Sequence, residues 1–132
     1  MPLLQPSIEK LRGFGSFTKV IGRGRKYESK PIKAFVLSSI SKQTGVHIGF
    51  AVTRRIRKAT QRNLLKRLMR EACRIRSEDF LANVESGMLL EIVFLYNGDI
   101  KIPSKKVRFA SINQALTDLS STINLVYRQA KT

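Results

Sequence analysis

The sequence predicts one α+β domain over residues 1–132, a sheet with helices packed on it, and three segments carry that prediction. Met88 to Tyr96 is a near-continuous apolar run, as expected of a central strand buried on both faces. Residues 58–76 combine a leucine-rich side with an arginine-rich side at helical spacing. Residues 108–127 place Ile112, Leu116, Leu119 and Ile123 at the same period, which predicts a last helix. With 42% of 132 residues hydrophobic, the chain has material for a single core and is not a disordered polymer.

Taken in order, Pro6-Ser7 starts a predicted helix with Ser7 as N-cap and Ile8, Leu11 and Phe14 on its inner face. Gly13 and Gly15 weaken it, so a second piece through Ser16, Phe17, Val20 and Ile21 ends at Gly22 and Gly24. Arg23 to Pro31 is polar and basic and reads as a mobile loop. Ala34 to Leu37 is a compact apolar strand, Ser38 to Thr44 a turn region, and Val46 to Val52 a second strand. A simple hairpin connection would make these two strands antiparallel neighbours. Asn97-Gly98-Asp99 is a turn after the central strand.

Charge narrows the function. Twenty-five Lys and Arg against nine Asp and Glu give a formal net charge of +16, and a chain so basic calls for an acidic partner. Ten of those cations stand at 54–76 (Arg54, Arg55, Arg57, Lys58, Arg62, Lys66, Arg67, Arg70, Arg74, Arg76) beside one acid, Glu71. At roughly 100° per residue, Leu64, Leu65, Leu68, Met69 and Ala72 share one half of the helix, and Arg62, Asn63, Lys66, Arg67, Arg70 and Arg74 the other. Arg62, Lys66, Arg70 and Arg74 are like-charged i, i+4 neighbours, each pair costing an isolated helix about 0.2–0.5 kcal/mol. A solvated face normally mixes signs; this one suits a phosphate backbone, which guanidinium forks grip bidentately.

Other chemistries lack residues. One cysteine, Cys73, allows no internal disulfide, which fits a reducing compartment. Cys73 and His47 build neither a zinc site nor a nucleophile–base pair. Gly13-Phe14-Gly15 has no preceding strand and is no dinucleotide fingerprint. No apolar run approaches the roughly 20 residues of a membrane span, and residues 1–6 lack the pattern of a signal peptide, so a cytoplasmic protein is expected. A DNA-reading helix-turn-helix needs a short helix before the basic one, where this chain has Val46 to Val52. A membrane-surface role would need the apolar side of the helix that the sheet requires.

The stretch His47-Ile48-Gly49-Phe50-Ala51-Val52-Thr53-Arg54-Arg55, followed by Ala59-Thr60-Gln61-Arg62-Asn63-Leu64-Leu65-Lys66-Arg67-Leu68-Met69-Arg70-Glu71, resembles the signature of the bacterial ribonuclease P protein family. Upstream, Leu11-Arg12, Phe17 to Ile21 and Gly24-Arg25 resemble that family's second conserved segment, and together the matches cover most of residues 8–95. The resemblance implies an α-β sandwich like the second domain of ribosomal protein S5, with a left-handed crossover around the basic helix. It implies a subunit that assists a catalytic RNA in removing the 5′ leader of precursor transfer RNA, with Mg2+ on the RNA and no cofactor or active site in the protein. Arg54, Arg55, Lys58, Arg62, Asn63, Lys66, Arg67 and Arg70 would contact the ribonuclease P RNA. Phe17, Ile21, Val36 and Ser38 would line a cleft for the leader between the first helix and the sheet. Five positions depart from the family pattern: Leu64 stands for an arginine, Arg57 for a glycine, His47 for an arginine, and Ile21 and Ser38 for aromatics. Aromatic faces stack on unpaired bases for about 1–3 kcal/mol each, so weaker leader binding is expected. A ribosomal or other structural-RNA protein of similar fold is the alternative.

Overall fold

The computed structural model describes residues 7–42, 44–76, 80, 87–98 and 105–130. Its elements are β1 (Ser7–Lys10), α1 (Phe14–Arg23), β2 (Arg25–Ser29), β3 (Ile32–Ile40), β4 (Gly45–Val52), α2 (Ala59–Ile75), β5 (Met88–Tyr96) and α3 (Lys105–Ala130). The five strands form one sheet in the order β1-β4-β5-β3-β2. β5 lies in the middle as its composition predicts, with Leu90, Ile92 and Phe94 turned to one core cluster and Val93 to another.

β3 and β4 are not a hairpin. β5 separates them, antiparallel to β3 (Ala34 opposite Phe94) and parallel to β4 (Phe50 opposite Phe94). A parallel pair requires a crossover, and α2 lies within the one that links β4 to β5. The hairpin expectation therefore fails because the intervening helix lets a later strand enter between two earlier ones.

The amino-terminal segment corrects a second expectation. Ser7–Lys10 is a strand, paired in parallel with β4 from Ser7 opposite Gly45 to Lys10 opposite Ile48. The Leu11 N–H extends the ladder by donating to the Ile48 carbonyl at 2.9 Å. Four residues are too few to repay helix nucleation alone, whereas a waiting strand edge satisfies their backbone at once. Gly13, at φ 91°, turns the chain from strand into α1, a conformation that L side chains rarely adopt. The Phe14 side chain, Pro6 and Asp99 of the expected turn lie outside the described residues.

Arg25–Ser29, expected as a loop, is the edge strand β2, antiparallel to β3. Tyr27 turns onto the core while Arg25, Lys26 and Glu28 are exposed. Charged residues on an edge strand discourage pairing with other chains, and that same composition disguises the strand as a loop.

The sheet has two working faces. Ile32, Ala34, Val36, Val46, Ile48, Leu90, Ile92 and Phe94 face α2 and α3, meeting Leu65, Met69, Ala72, Ile112, Leu116 and Ile123 in the main core. The opposite face carries α1, where Leu11, Val20 and Val93 form a smaller cluster bordered by Phe17, Phe35, Leu37 and Ala51. Strand register also sets a polar rung on that face: Glu9 opposite His47, His47 opposite Glu91, Glu91 opposite Leu37. His47 Nε2 lies 3.5 Å from Glu9 Oε2. Glu91 is 5% exposed, and Lys19 reaches it from α1 at 3.1 Å.

This ion pair fastens α1 to the sheet. Changing Lys19 alone to Met strands a buried carboxylate and is expected to cost about 1–3 kcal/mol in urea denaturation. That is less than the about 3–5 kcal/mol typical of fully buried pairs, because the Lys19 side chain is 43% exposed. The double replacement Lys19→Met with Glu91→Leu is expected to recover most of the loss; equal losses in both variants would show that the pair is not what holds the helix.

Candidate nucleic-acid interface

α2 is oriented by its apolar side. Leu65, Leu68, Met69, Ala72 and Cys73 are buried, and Asn63, Arg67, Arg70, Glu71 and Arg74 are exposed on the other side. The helical arithmetic thus holds, with one refinement. Leu64 is half-buried on the boundary, packed against the core on one side and reaching the surface on the other.

The connection from β4 into α2 is pinned from three directions. Ile56 is buried at 1% and donates its N–H to the Thr53 carbonyl at 3.1 Å. Arg62 reaches back so that one guanidinium nitrogen donates to the Thr53 and Ile56 carbonyls, both at 3.0 Å. Arg55 donates to the carbonyl and side-chain oxygen of Asn97 at 3.3 and 3.0 Å, tying the connection to the end of β5. The Thr53 N–H completes the link by donating to the Tyr96 carbonyl at 2.9 Å. Arg54, Arg57 and Lys58 project from this braced segment, all exposed. Arg57 needs no glycine geometry, because no non-glycine residue among the described ones has a positive φ.

The electrostatics of this end are adverse in isolation. α2 has no acid in its first turn and no side-chain cap, so its positive dipole end adds to the positive charge of Arg54, Arg55, Arg57 and Lys58. The nearest relief along the helix is Glu71, 3.9 Å from Arg67 in an exposed i, i+4 pair worth little. A phosphate-bearing ligand would be favoured both by the cations and by the helix N-terminus. Along the helix, Thr60, Asn63, Leu64, Lys66, Arg67 and Arg70 border an open basin of about 480 Å³.

Of the eight residues expected to contact RNA, the structure gathers all on α2 and the segment before it, in two roles. Arg54, Lys58, Asn63, Lys66, Arg67 and Arg70 present side chains outward, whereas Arg55 and Arg62 also hold the backbone that presents them. Sequence spacing put Arg62 in line with the others; its carbonyl partners depend on the turn at 53–56.

The expected leader cleft needs correction. Phe17 is half-buried on the α1 face, its ring lying over Gly49 so closely that a Cβ there would collide with it. Ile21 stands beside it on α1, 39% exposed. Val36, at 2% exposed, is turned to the opposite face in the main core, and alternation along the strand sends Ser38 to that same side. These two do not share a cleft with Phe17. The β3 residues that do border the α1 cluster are Phe35 and Leu37, both half-buried. Alternation separates the two β3 sets in the sequence, but only the placement of α1 decides which set meets it.

Cys73 is buried on α2, and burial pushes its thiol up to about 12 against a partial lowering by Arg76, so it stays protonated at neutral pH and is no nucleophile. Among the described residues no group of three or more His, Cys, Asp or Glu is arranged to hold a metal ion. No helix in the described residues is long and apolar enough to cross a membrane.

Comparison with known proteins adds the following. The family model described as ribonuclease P matches residues 6–124. The ribonuclease P protein component of Desulfovibrio desulfuricans is 36% identical over 76 residues, 58% of this chain and 58% of that protein. That of Pelotomaculum thermopropionicum is 34% identical over 73 residues, 55% of this chain and 63% of its own length. These matches thus span about three fifths of both relatives. Among solved structures, a ribonuclease P protein from Staphylococcus aureus superposes with a TM-score of 0.61 at 14% identity, covering 94% of each chain, a likeness of fold.

The Arg62 clamp is open to measurement. Arg62→Met is expected to destabilise the protein by about 1–2 kcal/mol in urea denaturation, since it removes charge-assisted bonds to two backbone carbonyls. Lys66→Ala, which removes a charge from the row without such bonds, is expected to stay within about 0.5 kcal/mol of the parent. Equal stabilities of the two variants would return Arg62 to the purely ligand-facing row.

Proposed function

The chain belongs to the bacterial ribonuclease P protein family, and from that premise we propose that it is the RNA-binding subunit of a ribonuclease P particle that removes 5′ leaders from precursor transfer RNA. The observation that carries the reading is the α2 surface, a braced row of Lys and Arg with almost no acid, on a chain of net charge +16. The partner of that row is the ribonuclease P RNA. In this reading the phosphodiester is cut by the RNA, which holds the Mg2+ ions, and the protein supplies neither nucleophile nor metal ligands. Its contribution is positioning: cations on α2 neutralise phosphates that would repel one another as the RNA folds and docks substrate.

The leader runs over the α1 face. Phe17 and Ile21 from the helix and Phe35 and Leu37 from β3 border it, in place of the expected Val36 and Ser38. Phe35 supplies a second aromatic ring on that face, so base stacking does not depend on Phe17 alone.

The test is cleavage of a precursor transfer RNA by a bacterial ribonuclease P RNA at low Mg2+, with and without the protein. Stimulation is expected, shrinking when the leader is shortened. Phe35→Ala is expected to reduce the dependence on leader length several-fold, and Ser38→Ala to leave it unchanged. Tight binding to structured RNA without stimulation would instead favour a ribosomal or other structural-RNA protein.

A further inference from the structure

We infer that the basin on α2 receives an unpaired nucleobase of the bound RNA, with Leu64 as its floor. The inference rests on the reading of α2 as the RNA-facing surface and specifies what that surface takes. A site for phosphate alone would be walled by donors throughout. Here the wall has three chemistries: cationic Lys66, Arg67 and Arg70, neutral polar Thr60 and Asn63, and apolar Leu64. A nucleotide divides the same way, into a phosphate, a hydrogen-bonding base edge and an apolar base face.

The placement supports the match. At roughly 100° per residue, Leu64 lies between the buried side of α2 and the stripe of Thr60 and Arg67, so its half-buried side chain closes the basin on the core side. Its inner surface packs against the core, which fixes the floor. Asn63 and Thr60, both exposed, offer an amide and a hydroxyl to a base edge. The guanidinium planes of Arg67 and Arg70 are suited to cover the second face of the base, with Lys66 as a point charge for its phosphate. The basin, about 480 Å³, is open to solvent and lined by α2 alone, so it suits one face of a base and not an enclosed ligand. Bases stacked inside a duplex present no free face, so the RNA segment on this helix has a base out of the stack.

The test follows the Leu64 methyl resonances of the intact protein during titration with adenosine 5′-monophosphate and, separately, ribose 5-phosphate. Larger shifts with the nucleotide are expected; equal shifts with both, or none with either, would overturn the base slot. A second measurement compares Leu64→Ala with the parent for binding to ribonuclease P RNA across salt concentrations. Loss of the floor is expected to weaken binding about five- to tenfold even at high salt, with the salt slope unchanged, because no charge is removed. Urea denaturation of the variant confirms that the protein tested is folded. Unchanged affinity in folded Leu64→Ala overturns the slot while leaving α2 as an RNA surface. An unaltered salt slope in Lys66→Ala overturns the parent reading itself.

Discussion

Burial of one side of α2 against the sheet is the constraint on which the rest of the molecule depends. Leu65, Leu68, Met69, Ala72 and Cys73 face β4 and α3 with little or no exposure, and a large-to-small change at such a leucine typically costs about 2–5 kcal/mol. That packing fixes the rotation of the helix, and the rotation decides where every cation on it points. It also dictates the strand order. A helix placed between β4 and β5 in sequence allows them to pair in parallel, which puts the most apolar strand in the middle and leaves charged β2 at one edge. The Arg62 clamp and the buried Ile56 carry the constraint into the preceding segment, so Arg54, Arg57 and Lys58 are offered from a braced turn.

The two faces of the sheet then divide the work. One is sealed by α2 and α3 and supplies stability. The other is only partly covered by α1, whose hold combines a small apolar cluster with the Lys19–Glu91 pair. A nearly buried carboxylate in so cationic a chain would be costly without its lysine, which makes the pair specific for one seating of α1. Phe35 and Leu37 remain half-buried beside it, so this face keeps apolar surface accessible to a ligand.

The elements legible in the sequence are those whose pattern is set by their own burial. Met88–Tyr96 shows itself because both sides of a central strand are apolar, and α2 because its two halves differ so sharply. Ser7–Lys10 and Arg25–Ser29 escaped because a short or charged edge strand owes its structure to a partner far along the chain. Of the site, the outward cations could be read from helical spacing alone. The Arg62 and Arg55 backbone contacts and the choice of Phe35 and Leu37 over Val36 and Ser38 could not, since each depends on which distant element lies opposite.

The central claim is that the outward row on α2 meets RNA phosphates, and the salt dependence of binding to a bacterial ribonuclease P RNA tests it most directly. Each phosphate contact releases counterions, contributing slightly less than one unit to the slope of log affinity against log salt. Lys66→Ala and Arg70→Ala are each expected to flatten that slope by about that amount while leaving the fold intact. Slopes unchanged in both variants would remove this helix face from the interface and contradict the account.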